Sequence, residues 1–342
     1  MEPKMESSKY NRNLLLGIAA GIVAAKMWTR RGYELTAKTV FITGGSRGLG
    51  LQLAREFARR GAKVAVSARD GEELQRAGAD IRRFGPDVLT IAGDITLREE
   101  ADVAIDQIRR NFGAIDILVN NAGTMCVGPL EVMTIDDFRD SIETHFWGPY
   151  FTTMAVLPEM RRRRQGRIVN ISSIGGKISV PHLLPYSVGK FALTGFSEGL
   201  RSALLKDKIF VTTVCPGLMR TGSPRNALFK GDNEAEYAWF SISDALPIFS
   251  ISAQRAARRI VRACMRGEAE VVLSVPAKAA AAFHGLFPGV TADILAIMNQ
   301  LLPAADTAEA QPKTGKQSFS RVSPSWLTIL NERAAKENNE VA

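Results

Sequence analysis

Cysteine and histidine are scarce, three of each in 342 residues. Cys126, Cys215 and Cys264 are scattered, odd in number and form no CxxC pair. That argues against a disulfide framework and fits a reducing compartment. Zinc-finger spacing is missing, and His182 and His284 have no partner pattern, so no metal site is expected. No basic tract is interleaved with aromatics, which argues against nucleic acid as a partner. No repeat of solenoid length occurs. The N-terminal apolar or glycine run Leu14–Ala25 falls short of the about 20 apolar residues that a spanning helix needs.

What is present is ordinary for a globular chain. Hydrophobic residues make up 46% and charged residues 23%, enough to bury a sizeable core without favouring disorder. The formal net charge of +9 reads as a solubilising surface or as attraction to anionic lipid. The densest basic run, Arg161–Arg164, ends a predicted helix, where cations complement the dipole.

The run Leu14–Ala25 has basic residues on both sides: Lys9 and Arg12 before it, Lys26, Arg30 and Arg31 after. Three readings compete: a signal peptide ending near Val23-Ala24-Ala25, a short membrane anchor extended to Trp28, and an interfacial helix. Basic flanks on both sides leave orientation open.

Beyond Gly32 the pattern is regular. Short apolar strands are predicted at Thr39–Thr43, Lys63–Ser67, Val88–Ala92, Ile117–Asn120, Arg167–Ile171, Ile209–Val214 and Glu270–Ser274. Between them fall helices over Arg47–Arg60, Glu72–Phe84, Leu97–Phe112, Ile135–Glu159, Tyr186–Leu205 and Ala253–Arg266. Such alternation predicts an α/β chain: a Rossmann-type, doubly wound, seven-stranded parallel sheet with helices on both faces. Asp306–Ser320 reads as a polar linker, and Ser323–Asn338 as a short terminal helix carrying Trp326, Leu327 and Leu330.

The first strand runs straight into Thr43-Gly44-Gly45-Ser46-Arg47-Gly48-Leu49-Gly50, and a helix follows. Glycines at this point let backbone approach a pyrophosphate, and the helix N-terminus offers N–H groups to it. The spacing is TGxxxGxG rather than GxGxxG. At the end of the second strand, NAD sites carry an acid for the ribose hydroxyl and NADP sites an arginine for the phosphate. Here Ala68 stands where the acid belongs and Arg69 follows, with Arg47 in the turn itself; two guanidiniums favour NADP. Asp70, one residue late, keeps NAD as the alternative.

Tyr186 and Lys190 share a helix face at i and i+4, and Ser173 lies just past the fifth strand, on the side where such sheets bind ligands. With TGxxxGxG, Asp94 in GDIT, Asn120–Gly123 (NNAG) and Cys215-Pro216-Gly217 with Thr221, the chain resembles the short-chain dehydrogenase/reductase family over about Leu35 to Ser274. The resemblance implies a catalytic set of Ser173, Tyr186 and Lys190. It implies cofactor contacts from Thr43, Gly44, Ser46, Arg47, Gly48, Leu49, Gly50, Arg69, Asp94, Ile95, Asn120, Ala122, Gly123, Tyr186, Lys190, Pro216, Gly217 and Thr221. Tyr186 would exchange a proton with the substrate oxygen, Lys190 would lower the tyrosine pKa, and Ser173 would polarise the same oxygen. The family has asparagine where this chain has His145, in His145-Phe146-Trp147-Gly148. A neutral imidazole also donates and accepts hydrogen bonds, so His145 is expected to substitute for it.

Three segments follow: an anchor or interfacial helix over 1–32, a catalytic domain over 33–275, and an apolar extension with a polar tail over 276–342. Within the domain, 222–250 forms a lid carrying Phe229, Tyr237, Trp239, Phe240, Leu246 and Phe249. A lipophilic carbonyl or alcohol substrate is expected over these aromatics, although packing of a helical hairpin explains them equally. An intracellular cofactor puts the catalytic domain in the cytoplasm, membrane-associated through residues 14–28 or else soluble. The resemblance implies a homo-oligomer. Against the enzyme reading stands a membrane-tethered NADP-binding scaffold without turnover, which only His145 favours.

Overall fold

The structure, a computed structural model, describes residues 32–248, 250–305, 311–320, 323–325 and 328–341. Residues 14–28 and the aromatic or apolar positions Phe249, Trp326 and Leu327 lie outside them. Among the described residues no helix is long and apolar enough to cross a membrane.

The strands are β1 Thr39–Thr43, β2 Lys63–Ala68, β3 Val88–Ala92, β4 Ile117–Asn120, β5 Cys126–Val127, β6 Gly166–Ile171, β7 Ile209–Pro216, β8 Leu218–Arg220, β9 Leu228–Phe229, β10 Ser250–Ser252, β11 Glu270–Leu273 and β12 Lys313–Thr314. The helices are α1 Gly48–Ala58, α2 Gly71–Ile81, α3 Arg98–Phe112, α4 Ile135–Ile142, α5 Gly148–Arg163, α6 Leu184–Leu204, α7 Asn233–Ala245, α8 Ala253–Arg266, α9 Val275–Leu286, α10 Pro288–Asn299 and α11 Ile329–Glu337. Seven strands form one sheet in the order β3-β2-β1-β4-β6-β7-β11, every pairing parallel. The chain winds outward from β1 to β3, then crosses back to β4, so the switch point lies between β1 and β4.

Alternation along each strand builds two cores. Val40 and Ile42, with Val64, Val66, Val119 and Val169, face Leu53 and Phe57 of α1, Leu74 and Ile81 of α2, and Ile260 and Val261 of α8. Phe41, Ala65, Leu118 and Ile168 face the other way, onto Ile105 and Ile108 of α3, Val156 and Met160 of α5, and Leu200 and Leu204 of α6. Each fully buried side chain of this size contributes about 1.5–3 kcal/mol, so register is strongly held.

Three expectations are corrected. The helix predicted over Ile135–Glu159 is interrupted at Glu143–Trp147, where the turn widens and the Gly148 N–H reaches the Glu143 carbonyl. Pro149 follows and has no N–H for the His145 carbonyl four residues back, which breaks the regular ladder there. The segment read as a linker contains β12, paired antiparallel with β9, and a turn whose Gly315 N–H donates to the Ala227 carbonyl at 2.9 Å. Ser274, assigned to the last strand, instead accepts from the Ala277 N–H as the cap of α9.

The lid is a packed unit. Phe229, Tyr237 and Phe240 are buried in a third core with Val127, Leu183 and Ala227, against which Tyr186 and Trp239 rest half-buried. Packing therefore accounts for three of the aromatics assigned to the lid. The terminal helix is shorter than predicted and lies against α7 and β8.

Candidate active site

The glycine turn sits at the C-terminal end of β1, at the switch point. Gly44 has φ +63°, and a Cβ there would lie 2.7 Å from the Ala122 Cα. The turn is tied to the segment after β4: Thr43 Oγ1 accepts from the N–H groups of Asn121 and Ala122 at 3.0 and 3.1 Å. Asn121 Nδ2 donates to the Thr43 and Gly44 carbonyls at 3.1 and 2.9 Å. Asn121 thus braces the turn, a role that the NNAG stretch could have signalled. The side chain of Asn120 faces into the sheet, donating to Asn170 Oδ1 at 2.8 Å and accepting from Thr152 Oγ1 at 2.7 Å. Leu49 is buried in the core, and Ile95 packs against Gly148, so both reach the turn region through packing. Gly123 lies against the ring of His145.

The charged groups expected to choose the cofactor are partly engaged. Arg47 Nη1 pairs with Glu73 Oε2 at 2.9 Å, and the Ser46 hydroxyl donates to the other oxygen of the same carboxylate. Arg69 is exposed and lies 3.8 Å from Asp94 Oδ2. Asp94 Oδ1 accepts from the Thr96 N–H and hydroxyl at 2.9 and 2.8 Å. Asp70 caps α2, accepting from the Glu73 N–H at 2.9 Å; this hydrogen bond holds its carboxyl below the usual range. Glu73 is a participant that no sequence pattern announced.

Ser173, Tyr186 and Lys190 converge, as expected. Ser173 ends the turn after β6, and its Oγ accepts from the Gly175 N–H at 3.0 Å. Ser173 Oγ and the Tyr186 ring both border Gly175, where a Cβ would lie 3.4 and 3.2 Å from them. One turn further along α6, the buried Lys190 Nζ donates to the Ile171 carbonyl at 2.8 Å and lies 5.6 Å from the Tyr186 ring centre. Burial pushes Lys190 down to about 7. The expected lowering of Tyr186 is not seen: burial pushes the phenol up to about 12, against the smaller effect of the nearby Ser173 hydroxyl. Desolvation penalises both charged forms, and a lysine so weakened stabilises little phenolate.

His145 occupies the widened turn and is fully buried. Its ring meets that of Tyr186 edge-on, with centres 5.3 Å apart. Nε2 lies 2.9 Å from the Thr124 carbonyl, which can only accept, so Nε2 carries the proton. Burial, then the nearby Lys190, holds the imidazole well below its usual pKa, so it is neutral. Nδ1 is then a buried acceptor with no hydrogen-bond partner among the described residues.

Pro216 closes β7, and Gly217 begins the loop that leads to Thr221, whose hydroxyl donates to Ser223 Oγ at 2.8 Å. His182, taken as incidental, is buried with Nδ1 2.7 Å from Glu236 Oε1, tying the segment before Tyr186 to α7. A cavity of about 700 Å³ beside Trp239 and Leu301–Ala305 is lined by none of Ser173, Tyr186 or Lys190.

With this geometry described, comparisons with known proteins agree. The short chain dehydrogenase family model matches residues 38–228, more than half of the chain. A dehydrogenase/reductase SDR family protein 7-like from Anopheles gambiae is 36% identical over 279 residues, covering 78% of this chain and 86% of the relative. 11-beta-hydroxysteroid dehydrogenase A from Sesamum indicum is 35% identical over 239 residues, 69% of this chain and 68% of its own. The crystal structure of L-sorbose reductase from Gluconobacter frateurii, complexed with NADPH and L-sorbose, superposes with a TM-score of 0.62 at 27% identity, covering 71% of this chain and 97% of that one. The chain belongs to the short-chain dehydrogenase/reductase family. It is thereby an oxidoreductase, of the class that transfers hydride with a nicotinamide dinucleotide.

Proposed function

We propose that the chain transfers a hydride between NADP(H) and the carbonyl or alcohol carbon of a lipophilic substrate, with Tyr186 as general acid/base. The observation that carries this reading is the convergence of Ser173 Oγ and the Tyr186 ring, 3.4 and 3.2 Å from where a Gly175 Cβ would lie, with Lys190 Nζ 5.6 Å from the same ring centre, at the strand ends that also hold the glycine turn. The residues fit a dinucleotide: the turn has no room for a Cβ at Gly44, and an oxygen-bearing group, the Glu340 carboxyl, already lies against Gly48. When bound, the cofactor supplies or accepts the hydride.

The protein's own groups handle the proton. In reduction the protonated Tyr186 hydroxyl donates to the substrate oxygen, and Ser173 hydrogen-bonds the same oxygen as charge builds on it. In oxidation Tyr186 must be ionised. Lys190 ionises more readily once an anion lies along the turn, and its ammonium then lowers the Tyr186 pKa. His145 is a positioning residue. Its Nε2–H is fixed on Thr124, and its Nδ1, on the side of Gly123, is left as an acceptor.

Capping of α2 by Asp70 supports NADP, because that carboxylate is committed before it can serve a ribose. Arg47 and Arg69 remain to grip a 2′-phosphate. A lipophilic substrate and membrane association are supported by the α9–α10 hairpin, which exposes Leu286, Phe287, Ile297 and Leu301. A homo-oligomer is supported by exposed Trp147 in the widened turn before α5, with exposed Val188 and Phe191 on α6, which packs against that turn. The test is consumption of NADPH and of NADH by the full chain across a panel of lipophilic ketones and aldehydes. Faster turnover with NADPH is expected; a preference for NADH overturns the cofactor assignment.

A further inference from the structure

The residues after α11 do not trail into solvent. They cross the cleft between the glycine turn and the loop after β7. Asn338 is buried: its carbonyl accepts the Gly48 N–H at 2.9 Å, its Oδ1 accepts from Gln52 Nε2 at 2.8 Å, and its Nδ2 donates to the Thr221 carbonyl at 3.0 Å. Asn339 Nδ2 donates to the carbonyls of Ser46 and Glu73 at 2.9 and 3.1 Å. The Glu340 carboxylate, 3% exposed as a residue, lies 2.5 Å from Asn226 Nδ2 and 3.5 Å from Arg47 Nε. A Cβ on Gly48 would lie 2.8 Å from Glu340 Oε1.

These contacts use the groups that a dinucleotide needs. The Gly48 N–H begins α1 and is a donor that the turn offers an anion. Arg47, proposed for the 2′-phosphate, is met by the tail carboxyl. The tail is also held from behind: Asn331 Oδ1 accepts the Gly222 N–H at 3.3 Å, and its Nδ2 donates to Asp244 Oδ2 at 3.1 Å. A pyrophosphate and the Glu340 carboxyl cannot share this space.

We propose that the C-terminal segment is an autoinhibitory plug, with Asn338 and Glu340 holding the pyrophosphate seat until the segment leaves and the dinucleotide enters. The inference rests on the reading of the glycine turn as the cofactor site. The apparent dissociation constant is then the intrinsic one divided by the fraction of chains in which the seat is free.

The test is titration of the full chain with NADPH, comparing wild type with Asn339→Ala/Glu340→Ala, alongside amide hydrogen exchange of residues 329–341 with and without NADPH. The variant is expected to bind about tenfold tighter, and NADPH is expected to deprotect the segment in the wild type. Equal or weaker binding by the variant, with the segment still protected under saturating NADPH, overturns the plug. If wild type and variant both fail to bind NADPH and NADH, the cofactor reading fails and the plug falls with it.

Discussion

Lys190 Nζ donates to the carbonyl of Ile171 at 2.8 Å while standing 5.6 Å from the Tyr186 ring centre. The end of β6 and one face of α6 thus hold Tyr186 and Lys190 in a single frame. Burial pushes both toward their uncharged forms, which on the proposed mechanism favours proton donation over proton abstraction.

His145 makes stability depend on pH. The unfolded imidazole takes up a proton near 6.5, while the folded one, held well below that value, does not. Stability is therefore lost as pH falls below about 6.5, by up to about 1.4 kcal/mol per pH unit. Urea midpoints of wild type and His145→Asn, measured from neutral to mildly acidic pH, are expected to diverge, with the variant less sensitive. Parallel curves would contradict the neutral, buried imidazole.

On the proposed reading, Arg47 and Arg69 set the cofactor preference. Removing both guanidiniums deletes charge-assisted hydrogen bonds worth about 1.5–3 kcal/mol each, so NADPH binding weakens at least tenfold. NADH binding stays within about twofold, because NADH has no 2′-phosphate. Equal losses for both cofactors would assign the arginines to the fold instead.

Gly50 is required by close approach. A Cβ there would lie 2.0 Å from the Gly44 carbonyl oxygen and 2.6 Å from Asn121 Nδ2. Backbone cannot yield as a side-chain tip can, so Gly50→Ala is expected to cost about 1–3 kcal/mol or more and to loosen the turn. An unchanged urea midpoint with unchanged NADPH affinity would contradict the packing.

Much of this arrangement is legible in the sequence. Buried parallel strands are short apolar runs, and the spacing of Tyr186 and Lys190 puts them on one helix face wherever the helix starts. The break at Glu143–Trp147 is not legible, because Pro149 alone does not say whether a helix ends or widens. The lid aromatics Phe229, Tyr237 and Phe240 look alike as core or as pocket, since hydrophobicity does not state what covers it. Asn338, Asn339 and Glu340 carry no local pattern, and their partners lie nearly the whole chain away in sequence. Long-range polar contacts of this kind appear only when the fold is built.

Docking of the tail takes up a proton. Burial raises the Glu340 carboxyl to about 7, with Glu73 adding to the rise and Arg47, Asn226 and Lys316 opposing it. An acid raised in the docked state favours docking at low pH. Docking weakens as pH rises from about 4.5 through about 7, and levels off above. NADPH affinity of the wild type is expected to rise over that window relative to Glu340→Gln. Matching profiles would remove Glu340 from the linkage.

The central claim, proton transfer by Tyr186 coupled to hydride transfer, is tested most directly by Tyr186→Phe. NADPH binding and NADPH oxidation are measured on both proteins with the best ketone or aldehyde of the panel. Turnover is expected to fall by about 10²–10⁴-fold while NADPH affinity holds. Turnover by the variant within a few-fold of the wild type would contradict the account.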